Sequence, residues 1–308
     1  SGVPQGSVLG ALLFILYMND ITEEVDIQIR LYADDVSLYT AYDDQLAAEE
    51  IMTLNLNNIT TWAELWKVNF NAAKTKTVNF TRKKTPSDPT PTMEDSTIDK
   101  LEKHKHLGIT LQKDAKWSQQ IEETVAKAKK RLDILQYYSK RLDRKSLEKI
   151  YLAYIRPVLE YGSSVWININ ERQKQELEDT QLLAARIVTG AKKGTSHQEL
   201  YREIGWDTLE DRRNRQALTQ YFKMIKDEAP TTLTELLPPS VRENHPYPHR
   251  RPENRKQPPS KSDQHRNSFI PIITQKWNDL PTDHQNATSI EAFKTKITPK
   301  REPPPKYY

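Results

Sequence analysis

The sequence predicts an α+β chain in which a mixed segment of helix and short antiparallel strands, residues 1–113, precedes an all-helical body. Three observations carry this. Apolar and polar residues alternate with period two near the N-terminus, through Ile27, Ile29 and Leu31 and again through Val36, Leu38 and Thr40. From Trp117 onward the spacing becomes helical, with Ile121, Val125, Ala128, Leu132 and Leu135 in a 4-3-4-3 sequence. Proline gathers at the end: 14 of 19 fall in the last 79 residues, while the middle is nearly free of Gly and Pro. The expected division is a mixed segment 1–113, helices over 114–237, a Pro/Arg/His-rich flexible tract over 238–267, and a short helical region with a frayed tail over 268–308.

Taken in order, Gly6 to Asp20 reads as a helix that is apolar nearly all round and therefore buried. Ile27 to Thr40 reads as a hairpin with Asp34 and Asp35 at its tip. Asp43 to Lys67 is the next helix, capped by Asp43 or Asp44. Lys74 to Thr81 reads as a strand with Val78 and Phe80 on one face. Residues 82–97, with Pro86, Pro89 and Pro91, read as a loop, and 98–112 as one or two short strands around Gly108. Helices dominate from Trp117 onward, the first carrying the stripe Ile121 to Leu135, with further ones over about 145–160, 171–189 and 207–228. The tract 238–266 is too polar to pack by itself. Apolar and aromatic residues return over Ser268–Leu280, and Pro303–Pro305 read as frayed.

Composition removes several classes of function. Cys is absent, which excludes a disulfide scaffold, thiolate zinc and a Cys nucleophile. The longest apolar run, Val8 to Met18, is shorter than the ~18 residues a membrane span needs, so no membrane association is expected. The chain does not begin with Met, and the expectation is a piece of something longer. Net charge is only +4, but residues 1–60 hold ten acids against Arg30 alone, a balance of −9 that leaves +13 for the rest. Residues 127–156 carry ten Lys/Arg against Asp133, Asp143 and Glu148, a balance of +7. An acidic end beside a basic body fits a cation site next to a polyanion-binding surface. His245, His249 and His265 lie too far apart, and among too many arginines, for a zinc site.

The chemistry concentrates at Asp34-Asp35. Two carboxylates held at one hairpin tip suit Mg²⁺, which takes one or two carboxylates together with phosphate oxygens and water. The same dipeptide at Asp43-Asp44 reads only as a helix cap, so context decides. Ser1-Gly2-Val3-Pro4-Gln5-Gly6-Ser7, then Leu12-Leu13-Phe14 and Asn19-Asp20, stand a short step before Tyr32-Ala33-Asp34-Asp35. Trp66 through Asn71 with Lys74-Thr75 follow, then His106-Leu107-Gly108-Ile109. Downstream come Arg156-Pro157-Val158-Leu159-Glu160-Tyr161-Gly162, Ala185-Arg186-Ile187-Val188-Thr189-Gly190 and Trp277-Asn278-Asp279-Leu280-Pro281. Over nearly its whole length this order resembles the reverse transcriptases of non-LTR (LINE-type, jockey-like) retrotransposons, starting inside the palm and continuing through a helical thumb and connection-like region.

That resemblance implies roles residue by residue. Asp34 and Asp35 would hold the catalytic Mg²⁺ or Mn²⁺, and Lys74 would protonate the departing pyrophosphate. Gln5, Gly6 and Tyr32 would lie against template, incoming nucleotide and primer end, and Leu107-Gly108 would grip the primer. Lys127, Lys129, Lys130 and Arg131 would track nucleic-acid backbone. The implied partners are an RNA template, a DNA primer and deoxynucleoside triphosphates. The resemblance also implies an upstream palm Asp, fingers and an endonuclease, none of which stands in these 308 residues, so the piece is expected to be inactive alone. The alternative is a catalytically dead, nucleic-acid-binding remnant of such an element.

Overall fold

A computed structural model describes residues 6–81, 89–241 and 253–299. It is α+β and separates into two compact units, Ser1–Lys116 and Trp117–Tyr308.

In the first unit, helix α1 (Val8–Met18) starts at Ser7, whose hydroxyl accepts the Gly10 N–H at 3.1 Å. A 3₁₀ segment, Asn19–Glu24, leads to an antiparallel hairpin of β1 (Gln28–Tyr32) and β2 (Asp35–Tyr39). The register pairs Ile29 with Leu38 and Leu31 with Val36, so four apolar side chains share one face. That face packs on Met18, Ile21, Ile59, Trp62 and Ala63. Helix α2 (Gln45–Trp66) supplies the last three, and its cap is Asp44, which accepts the Ala47 N–H at 3.0 Å. Lys67 closes α2 in the left-handed region at φ 58°.

The remaining strands are short. β3 (Lys76–Thr77) pairs in parallel with β6 (Asp99–Lys100), β4 (Thr92–Met93) pairs with β5 (Ser96–Thr97), and β7 (Lys103–His106) pairs with β8 (Ile109–Gln112).

Three expectations need correction here. Helix α1 is not buried: Val8 is 90% exposed and Ile15 60%, and only Gly10 and Met18 are covered. Its apolar composition is real, but among the described residues only its C-terminal end meets the core. There Met18 enters the cluster and Tyr17 lies edge-on to Trp66 at 5.3 Å. The strand over 74–81 contracts to two residues because the Asn71 carbonyl binds the Lys74 and Thr75 N–H groups in a turn, and Phe80 stays exposed. The loop over 82–97 contains the β4–β5 hairpin, formed because Met93, with neighbouring Ile98, buries against Leu56 of α2. Residues 82–88 lie outside the described residues.

The second unit is helical. α3 (Ser118–Tyr138) buries Ile121, Val125, Ala128, Leu132 and Leu135, the whole of its expected stripe. α4 (Arg144–Ile150), a π-helical stretch (Tyr151–Ile155) and α5 (Arg156–Glu160) form one continuous run. The widened turn has a cause: Pro157 has no N–H for the ladder and its ring crowds the carbonyl four residues back, so the Arg156 N–H reaches the Tyr151 carbonyl instead. α6 (Glu171–Thr189), α7 (His197–Ile204) and α8 (Leu209–Ile225) follow, each opened by a side-chain cap from Asn170, Ser196 and Thr208.

Short helices α9 (Thr231–Thr234) and α10 (Asp263–Arg266) lead to α11 (Phe269–Asn278), α12 (Thr282–Gln285) and α13 (Ile290–Ile297). Trp277 and Phe293 close over Tyr221 and Phe222 of α8, with the Phe222 and Phe293 rings stacked at 4.3 Å. The polar tract is not a free strap where it is described. Trp277 Nε1 donates to the Glu253 carbonyl at 2.9 Å, and Asn278 holds both the Arg255 N–H and its carbonyl at 2.8 Å. Arg255 also donates to the Pro238 carbonyl. Backbone groups, which every residue carries, anchor a segment whose side chains are too polar to do so. His265 lies in α10, while His245, His249 and Pro303–Pro305 lie outside the described residues.

A polar knot ties α6 to α7 and α8. Glu178 accepts from the Tyr201 hydroxyl and from the Leu209 N–H at 3.0 Å. Gln181 joins it, accepting from Tyr151 at 2.6 Å and donating to Tyr201 at 3.0 Å. Burial pushes the Glu178 carboxyl above its ordinary range, against the opposing effect of those hydrogen bonds.

Candidate active site

The hairpin β1–β2 turns in two residues, since Tyr32 pairs with Asp35 and leaves only Ala33 and Asp34 between the strands. Two-residue hairpins of the primed types need φ above zero at the first turn position, which favours Gly or Asn. Here the position is Ala33, at φ 52°. Left-handed backbone costs an L-residue about 1–2 kcal/mol. The sequence therefore holds the tip in a tight turn with a residue that does not relax it. Asp34, Asp35 and Tyr32 are all exposed there, Tyr32 by 66%. The arrangement puts two adjacent carboxylates in water at the end of a hairpin whose other face is fixed to the core.

The second hairpin is tied to the first. His106 Nε2 lies 3.3 Å from Ser37 Oγ, two residues beyond Asp35. Leu107 and Gly108 form the β7–β8 turn with φ 46° and 79°, again two residues wide. The turn motif His106-Leu107-Gly108-Ile109 therefore stands beside β2, and the contact runs through Ser37. Sequence reading missed both Ser37 and the backbone state of Ala33. The first left no signal in sequence, since a Ser–His contact 69 residues apart has no periodicity. The second follows only from the two-residue width of the turn, which the pairing of Tyr32 with Asp35 shows.

Other expected residues are placed separately. Gly6 adopts φ 85° with open space where a Cβ would stand, so its conformation rather than crowding calls for glycine. Gln5 lies outside the described residues. Lys74 is exposed, in the turn made by Asn71, whose side-chain oxygen accepts its N–H at 3.1 Å. In the second unit, Lys127, Lys129 and Lys130 are exposed, whereas Arg131 is committed internally. Its guanidinium lies 4.1 Å from the Tyr154 ring and donates to the Tyr154 carbonyl.

Among the described residues no three His, Asp or Glu side chains cluster as a metal cage. The donor set at the tip is nonetheless of the kind Mg²⁺ accepts, one or two carboxylates with the rest supplied by water and phosphate. No described helix is long and apolar enough to cross a membrane.

Residues 1–111, which contain β1–β2 and all of β7–β8 but Gln112, match the family described as reverse transcriptase (RNA-dependent DNA polymerase). The match covers 111 of the 308 residues. The similarity runs beyond the matched segment. The probable RNA-directed DNA polymerase from transposon X-element of Drosophila melanogaster is 27% identical over 227 residues, 70% of this chain and 24% of that protein. The RNA-directed DNA polymerase from mobile element jockey of the same species is 27% identical over 223 residues, 69% of this chain and 24% of that one. The probable RNA-directed DNA polymerase from transposon BS is 24% identical over 250 residues, 77% and 28% of the respective chains. The chain thus spans about a quarter of the length of these relatives. No solved structure matches it. The matched segment ends just short of the boundary between the compact units, so both acidic tip and neighbouring turn lie on the matched side.

Proposed function

We propose that this chain serves an RNA-directed DNA polymerase of the non-LTR retrotransposon type, with Asp34 and Asp35 as ligands of catalytic Mg²⁺, for which Mn²⁺ can substitute. The observation that carries the reading is the pair of exposed carboxylates at the hairpin end, Asp34 in the two-residue turn and Asp35 directly after it, inside the segment that matches the reverse transcriptase family. Bound divalent ions would activate a primer 3′-hydroxyl and hold the triphosphate of the incoming nucleotide. Tyr32 faces solvent beside the carboxylates and would border the primer end. Leu107-Gly108 would approach the primer backbone, positioned through the Ser37–His106 contact. Gln5 and Gly6 would lie against template and nucleotide, and Lys74 would supply a proton to pyrophosphate. Lys127, Lys129 and Lys130 would follow the backbone of the RNA template and DNA primer, with Arg131 contributing through the ring it covers. Residues 1–113 would form the palm portion and 114–237 the thumb and connection-like region.

The test is primer extension on an RNA template with Mg²⁺, in a polymerase where this chain is joined to the N-terminal remainder of a jockey-type relative. Asp34→Asn should abolish extension, because an amide is a poor Mg²⁺ ligand, while template binding stays near wild type. Asp43→Asn, away from the tip, should extend normally. Near-normal extension by Asp34→Asn would overturn the assignment.

A further inference from the structure

The helical unit carries a surface that charge counting alone does not describe. Lys127, Arg131, Ile134 and Tyr138 follow at intervals of four, three and four along α3, which brings them onto one stripe. Lys130 and Tyr137 flank Ile134 on the neighbouring row. The surface is unusually aromatic for one facing solvent: on α3 Tyr137 is 61% exposed and Tyr138 and Ile134 are also exposed, and Tyr154 of the π-helical stretch, 45% exposed, lies beside Arg131. Each end has a ring paired with a guanidinium. Arg131 lies 4.1 Å from the Tyr154 ring, and Arg141 lies 4.2 Å from the Tyr137 ring. Tyr137 and Tyr138 meet edge to face at 5.1 Å, which fixes their mutual orientation. Arg131 and Tyr138 are seven residues apart, about 10 Å along the helix axis.

A plain phosphate-tracking face needs cations and gains nothing from solvent-exposed rings. A protein-docking face of this size would be expected to lose its lysines toward the centre. What combines rings with cations is recognition of unpaired bases, which stack on aromatic and guanidinium planes while lysines follow the backbone. We propose that Tyr137, Tyr138 and Tyr154, oriented by Arg141 and Arg131, form a stacking platform for unpaired nucleotides of single-stranded nucleic acid. This rests on reading the helical unit as a nucleic-acid surface and adds how it tells single strands from duplex. The charge balance of +7 over 127–156 supplies the complementary field. Ring stacking is tolerant of base identity, so the platform selects strand state rather than sequence.

The test uses the full chain and three fluorescent probes of equal length, oligo-U, oligo-dT and a duplex, titrated by anisotropy across a range of salt concentrations. Wild type should favour both single strands over duplex. Tyr137→Ala with Tyr154→Ala should weaken single-strand binding by roughly tenfold per ring while leaving the salt slope unchanged. Tyr137→Phe with Tyr154→Phe should restore it, which excludes misfolding as the cause. Lys127→Ala with Lys130→Ala should instead flatten the slope by roughly 0.7 per lost contact. Wild-type binding indifferent to ring removal would overturn the platform and leave backbone tracking standing. Equal affinity for duplex, or equal displacement by poly-glutamate, would also overturn it. No binding of any probe would remove both the platform and the nucleic-acid reading of this unit, without touching the Asp34 assignment.

Discussion

Replacing Ala33 by glycine isolates the cost of shaping the acidic tip. Ala33 sits at φ 52° in a two-residue turn, is exposed and forms part of no core cluster, so the substitution acts on the backbone. The left-handed backbone costs an alanine about 1–2 kcal/mol. Glycine removes that cost and returns about 0.5–1 kcal/mol in unfolded-state entropy. The difference is a net stabilisation of roughly 0–1.5 kcal/mol, with a midpoint of about 0.75 kcal/mol. Valine at the same place should lose about 1 kcal/mol or more, since a β-branched residue is a genuine outlier there. Amide hydrogen exchange at Tyr32, Asp35 and Ser37, the positions that bond across the hairpin, reads the effect locally. Protection should rise severalfold in Ala33→Gly and fall in Ala33→Val. In the extension assay the order should invert for glycine, because a freer turn spreads the two carboxylates over more orientations. A slower-exchanging Ala33→Val, or a glycine variant that exchanges faster than wild type, would refute the argument that the tip stores backbone strain.

Two further outcomes are expected. The fold favours protonated Glu178, so its contribution to stability is full below the ordinary glutamate value and is lost as pH rises through the raised folded value. Glu178→Gln should therefore be at least as stable as wild type at neutral pH, and the difference should close as pH falls toward 4.5 in parallel urea titrations; an unchanged difference across that window would refute it. Trp277→Ala should cost about 3–5 kcal/mol in urea unfolding. Trp277→Phe should cost less but still about 1–3 kcal/mol, because the Glu253 carbonyl loses its donor; a loss below 1 kcal/mol in the alanine variant would show that the Trp277 cluster does not hold the C-terminal helices.

Local signals were legible in the chain wherever one face of an element decides its burial. The stripe Ile121 to Leu135 is buried throughout, and the alternation through Ile29, Leu31, Val36 and Leu38 gave the hairpin face. The hairpin with Asp34 and Asp35 at its end was legible too, but Asp35 pairs with Tyr32 as the first residue of β2, so the break is one residue shorter than the sequence reading made it. Helix α1 was misread because composition reports affinity for a core without saying whether the core reaches it. The described part of the polar tract was misread for the converse reason, since its anchors are backbone groups to which side-chain composition is blind. The contact of Ser37 with His106, and the capture of Arg131 by Tyr154, depend on side chains distant in sequence. They could be learned only from the folded chain.

The π-helical stretch before Pro157 has a consequence for chain length. A widened turn inserts one residue into the helix, and one residue is about 100° of rotation. Everything after Ile155 is therefore dephased relative to α4. Leu159 points into the interior, and Glu160 reaches Arg212 of α8, whose guanidinium it holds at 3.0 Å. If the ladder closed to the regular form with every residue kept, Leu159 and Glu160 would turn about 100° away from their partners. A one-residue deletion within Tyr151–Ile155 removes the extra residue together with the bulge, and leaves both side chains facing as they do. The extra residue and the proline that holds the turn open are thus matched to each other.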